Sequence, residues 1–170
     1  MKKLFIKNRL FYLLIALSLI AGTSSLMAVE SKAGDFYDCC KDGHGTGTPG
    51  YWKNHPDAWP VEGGTIGGTF YDKWQAIEIM ETAGKGDKCF TLFNALVAAA
   101  LNVRAGNCSW CIGYVIDAAD MWMTEFCSDF DNDNINTVTG SDWAWQKWGE
   151  RMYWKLDSYN NGELCAPSRD

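Results

Sequence analysis

Three kinds of residue in this chain have the types and spacing to do chemistry: clustered aspartates, paired cysteines, and loop aromatics set among polar side chains. The aspartates run Asp129-Phe130-Asp131-Asn132-Asp133-Asn134-Ile135-Asn136, with Asp142 following. Hard divalent cations want several oxygens at alternate positions of a turning backbone, so Asp129, Asp131, Asp133 and Asp142 are the candidate ligands and calcium is the cofactor they would take. Two frames compete. A loop starting at Asp129 has Asp at its first three alternate positions but ends on Gly140; one starting at Asp131 ends on Asp142 and uses Thr137 and Thr139, but places Ile135 fifth. Neither has glycine at the sixth position that a sharp calcium-loop turn needs. The competing and preferred reading is an Asx-rich loop in which Ser141 or Asp142 caps the last helix.

Cys108-Ser109-Trp110-Cys111 has the C-x-x-C spacing of a redox pair, and a helix start just after it would lower a thiol pKa. The strand-helix alternation of a thioredoxin-like fold is missing, and five further cysteines favour structural crosslinks. Zinc is weaker still, because His44 and His55 are the only histidines and are not spaced as a ligand pair. Catalysis has little support: there is no nucleophile elbow or metalloprotease helix, and a carboxylate pair such as Asp57 and Glu62 occurs in any acidic chain. The aromatics point elsewhere. Tyr51, Trp52 and Trp59 share a loop with Asn54 and His55, and exposed rings beside polar groups stack on sugars or anchor protein interfaces. These five are the candidate ligand-binding residues. The equally weighted alternative is that their rings close one end of a helical core, as most of the nine tryptophans should do.

The elements that must position these groups begin after a leader. Lys2, Lys3, Lys7 and Arg9 precede an uncharged stretch from Leu10 to Ala21 and then small residues, the pattern of a secretory signal cut after Ala28. The apolar run is shorter than the ~20 residues that cross a bilayer, so the mature chain is expected to have no transmembrane span and to be soluble. Removing residues 1–28 leaves 11 basic against 21 acidic residues. That balance repels nucleic acid. The remainder divides into an extended Gly-rich arm over 29–47 and a single helical domain over 48–170.

Within 48–170, Pro49-Gly50 suggests a type II turn, and Pro56 the start of a short helical turn ended by Pro60. TIGGTFY, residues 65–71, predicts a small hairpin turning at Gly67-Gly68. Asp72 caps a helix carrying Trp74, Ile77 and Met80 inward. A second starts near Asp87, buries Leu92, Leu96, Ala99 and Val103, and stops at Gly106. The third, from about Ser109, presents Ile112, Val115, Ile116, Ala119, Met123 and Phe126 on one face. The last, from about Ser141 to Tyr159, aligns Ala144, Trp148, Met152 and Leu156 as its inward stripe. The fold class is therefore mainly α, a disulfide-stapled bundle of about four helices.

All seven cysteines lie in the mature part, and an exported chain keeps disulfides. Cys111 and Cys127 sit at opposite ends of one helix, about 24 Å apart at ~1.5 Å per residue, too far to pair. An antiparallel hairpin of the second and third helices instead sets Cys89 beside Cys127. Cys165 then reaches Cys111 or Cys108, with Cys111 taken as its partner, while Cys39 or Cys40 competes for what remains.

The segments TPGYWKNHPDAWP, TIGGTFY, FTLFNALVAAALNV and YNNGELCAPSRD together resemble a group of exported bacterial proteins and modules, across most of residues 48–170. The resemblance implies a secreted or surface location and carries no catalytic residue to this chain. The doubled Cys39-Cys40, the cysteines at 89, 108 and 127, and the Asp-rich run depart from the group, so a cation site would belong to this chain alone. The functional expectation is an extracellular or surface-associated binding or structural module that touches a polysaccharide or protein, or assembles with itself. The alternatives are a small secreted hydrolase of envelope polymer and a calcium-stabilised self-assembling subunit.

Overall fold

A computed structural model describes residues 43–84, 86–127 and 138–169. Thr48 caps α1 (Pro49–Asn54), its hydroxyl accepting from the Tyr51 N–H. Pro49 thus begins a helix rather than a type II turn, because a cap residue before a proline at the first helical position satisfies the free N–H groups of a short helix. A 3₁₀ turn at Pro56–Ala58 follows, then the antiparallel strands β1 (Gly63–Ile66) and β2 (Thr69–Asp72). Gly67 and Gly68 connect them at φ +59° and +80°, the left-handed pair a tight hairpin demands.

Asp72 closes a reciprocal capping box with Gln75 at the start of α2 (Lys73–Glu81). Asp87 caps α3 (Lys88–Arg104), and Gly106, at φ +89°, ends the chain's exit from it. The remaining helices are α4 (Gly113–Phe126) and α5 (Glu150–Asn160). The bundle is organised on α3, which packs against α1, α2, α4 and α5. That explains its near-continuous apolar run: Leu92, Phe93, Ala95, Leu96, Val97, Ala98, Ala99 and Leu101 are all buried.

Two expected inward residues are not inward. Trp74 is 64% exposed; it occupies the first turn of α2, where Ala76, Ile77 and Met80 bury the inner face. Trp148 is 41% exposed because residues Trp145–Gly149 form a π-helical turn, the Glu150 N–H reaching the Trp145 carbonyl five residues back. Ala144 stays buried beside Trp145, and the extra residue in that turn moves the next inward position from 148 to 149. Gly149 makes this register workable: a Cβ there would stand 2.6 Å from Cε3 of Trp145 and 3.2 Å from Cζ2 of Trp122. The two indoles close around it, with ring centroids 6.1 Å apart.

Both expected crosslinks are present. Cys89–Cys127 joins the start of α3 to the end of α4, with Cα atoms 5.7 Å apart, and Cys111–Cys165 fastens the tail to the α3–α4 connection at 5.9 Å. Cys108 is also disulfide-bonded, so the C-x-x-C is not a pair with itself. Cys39 and Cys40, the leader and residues 29–42 of the expected Gly-rich arm lie outside the described residues.

Candidate functional site

The loop that carried the aromatic signal turns mostly inward. Trp52 has no exposed surface, and its Nε1 donates to Oδ1 of Asn102 at 3.0 Å. That is a correction to its expected place on a contact surface. Asn102 sits in the buried face of α3 and uses its whole amide: Oδ1 also accepts from the Gly47 N–H at 2.7 Å, while Nδ2 donates to the Gly47 carbonyl and to Oδ1 of Asn160, each at 2.9 Å. Asn160 continues the chain of bonds to the Ala95 carbonyl. Trp59 is buried as well, its Nε1 donating to the Trp52 carbonyl at 2.8 Å. A buried polar group is tolerated when all its hydrogen bonds are made, so this network sets a unique arrangement of three distant segments.

The C-terminal tail completes that arrangement. Thr46 forms a parallel bridge with Ser168, and Arg169 donates to the Tyr51 hydroxyl at 2.8 Å while its guanidinium lies over the Tyr51 and Trp52 rings. The two most distinctive sequence segments, around 48–60 and 159–169, therefore face one another across Asn102. Of the five candidate binding residues, Asn54 and His55 are exposed and Tyr51 is half-buried. His55 stacks on Tyr51 at 4.4 Å and bonds to the Tyr51 carbonyl through Nδ1. Of the five candidates, what the loop still presents to a ligand is the His55–Tyr51 edge with Asn54 beside it.

No family model, curated protein or solved structure matches this chain.

Asp142 is the one candidate cation ligand among the described residues; Asp129, Asp131 and Asp133 lie outside them. Its Oδ2 accepts from the Thr139 N–H at 2.6 Å and from the Thr139 hydroxyl at 2.8 Å. Those two donors hold the carboxyl below its usual pKa range. Asp142 faces back into this turn instead of forward over the helix it precedes. Among the described residues there is no cluster of three or more His, Cys, Asp or Glu side chains able to hold a metal. Glu62, one of the two carboxylates considered for acid/base work, is paired with Lys73 at 3.1 Å.

Exposed aromatics lie elsewhere, among them Phe70, Trp74, Trp110, Tyr114 and Trp154, and two others meet as a pair at the π-turn. Trp143 and Trp148 are 61% and 41% exposed, with ring centroids 5.1 Å apart and planes at 67°. Phe126 meets Trp143 edge-on at 6.2 Å, and the Lys147 ammonium lies 4.7 Å over the Trp148 ring. Helical spacing alone could not find this corner, because it assigns Trp148 to the core. Its only sequence signal was a density of four tryptophans between 143 and 154, more than one helix face can bury.

Proposed function

We propose that this protein is an exported, non-enzymatic binding module that holds an extracellular polysaccharide against Trp143 and Trp148. The observation that carries the reading is the π-turn. It is a rare element, often found at functional sites, and here it stands an indole that α-helical register would bury beside a second exposed indole. Two rings at an angle, with an ammonium beside them, suit a sugar chain: the apolar faces take C–H groups and the lysine takes hydroxyl or acidic substituents. Export is supported by the leader pattern, by disulfides that persist outside the cytoplasm, and by the finding that no described helix is long and apolar enough to cross a membrane.

The test is sedimentation with insoluble cell-wall glycans, together with tryptophan fluorescence on titration with their soluble fragments. Replacing Trp143 and Trp148 by Ala is expected to weaken binding at least tenfold, since aromatic anchors dominate such contacts, while leaving the melting temperature within a few degrees. His55→Ala is expected to change nothing. Binding that survives loss of both tryptophans would contradict the proposal.

A further inference from the structure

A second site, independent of the Trp143–Trp148 corner, follows from the hairpin. Its register pairs Gly64 with Tyr71 and Ile66 with Thr69. Side chains alternate across a strand, so Gly64 lies on the same inward face as the buried Ile66 and opposite the buried Tyr71. The neighbouring Gly63 is required where it is, because a Cβ there would meet the Tyr71 carbonyl oxygen at 2.5 Å. Gly64 is not. A Cβ at Gly64 would find nothing within 4 Å, and Gly64 is not among the glycines with positive φ. Neither packing nor backbone conformation asks for glycine at this core-facing position.

The missing side chain helps to leave a small, half-open cleft between the hairpin and α3. Trp59, Phe93, Val97 and Leu101 line it, and Arg104 is its one charged residue. The Trp59 N–H is already used by the Trp52 carbonyl, so the indole offers a ligand only its apolar ring. Arg104 has no carboxylate partner among the described residues, in a chain with 21 acidic residues against 15 basic ones. It sits in the last turn of α3, where the free carbonyls disfavour an anion at the backbone. The guanidinium fork is therefore the group left to hold one.

We infer that this cleft binds an apolar group bearing a carboxylate, the apolar part filling the space beside Gly64 and the carboxylate meeting Arg104. The same chemistry is offered by a small branched or aromatic carboxylic acid and by the C-terminal residue of a peptide. Calorimetric titration of the mature chain with 4-methylpentanoate, with a peptide ending in leucine, and with the amide of each separates these sources. At least one of the two acids is expected to bind at least tenfold more tightly than its amide, and the one that saturates identifies the source. Gly64→Leu, which fills the cleft from within, is expected to abolish binding. Arg104→Gln is expected to reduce the acid to the affinity of its amide. If Gly64→Leu lowers the melting temperature, Arg104→Gln decides alone. The inference is overturned if neither acid saturates at millimolar concentration, if binding persists in a folded Gly64→Leu protein, or if Arg104→Gln leaves the preference for acid over amide intact.

Discussion

Asn102 is a polar residue within the apolar run ALVAAALNV, and its amide joins α1, α5 and the segment at Gly47. Replacing it by Ala would strand the Trp52 indole N–H and both Gly47 backbone groups in a dry interior. At ~1–3 kcal/mol for each stranded group, with partial relaxation, the cost is about 3 kcal/mol, or a fall of roughly 10 °C in melting temperature by circular dichroism. Tyr159 is the second buried polar contact of consequence, its hydroxyl donating to the Cys108 carbonyl at 2.7 Å. Burial pushes its pKa up from 10.0 to about 12. The folded state thus keeps a proton that the unfolded chain releases, so this stabilisation is complete below pH 10 and is lost as pH rises through about 12. Alkaline denaturation should show that loss. Tyr159→Phe should flatten it at a cost of about 1 kcal/mol near neutrality. At this scale the sequence was half legible. Nothing in the apolar run singles out Asn102, and its partners lie fifty or more residues away on either side. The burial of Trp52 could not be read from its polar, proline-rich surroundings.

The elements were readable where their causes are local. Asp72, Asp87 and the Gly67-Gly68 turn act within a few residues, and each stands where the sequence placed it. The hairpin of α3 and α4 was enough to derive the Cys89–Cys127 bond from helix length and the short connection. The π-turn was illegible because its cause is tertiary: Trp122 on α4 and Trp145 share the space that Gly149 leaves. Gly149→Ala should therefore force an indole aside and lower stability by about 1–3 kcal/mol, the usual range for overpacking. Deleting Gln146 should return the segment to α-helical register and rotate Trp148 inward. Glycan binding should then be lost while the helical circular dichroism signal stays, which distinguishes the role of the π-turn from simple unfolding.

At the scale of the molecule, the two disulfides with both ends among the described residues close long stretches, with sequence separations of 38 and 54 residues. Loop-closure entropy gives each a stabilisation of about 4 kcal/mol, so replacing either pair by serines should lower the melting temperature by more than 10 °C. The tail holds the molecule by more than its sulfur. Cys165 ties it to Cys111, and residues 167–169 then run beside Thr46, returning the chain's end to the segment before α1. Such a closed, crosslinked domain has its use where thiols oxidise and proteases act, which is why export is the claim on which the functional reading turns. The measurement that meets it most directly is mass analysis of the protein recovered from fractionated cells and medium, without reduction. The account predicts a chain beginning at Val29, outside the cytoplasm, yielding the peptides Cys89–Cys127 and Cys111–Cys165. A polypeptide that retains residues 1–28, remains in the cytosol and carries every thiol reduced would contradict it.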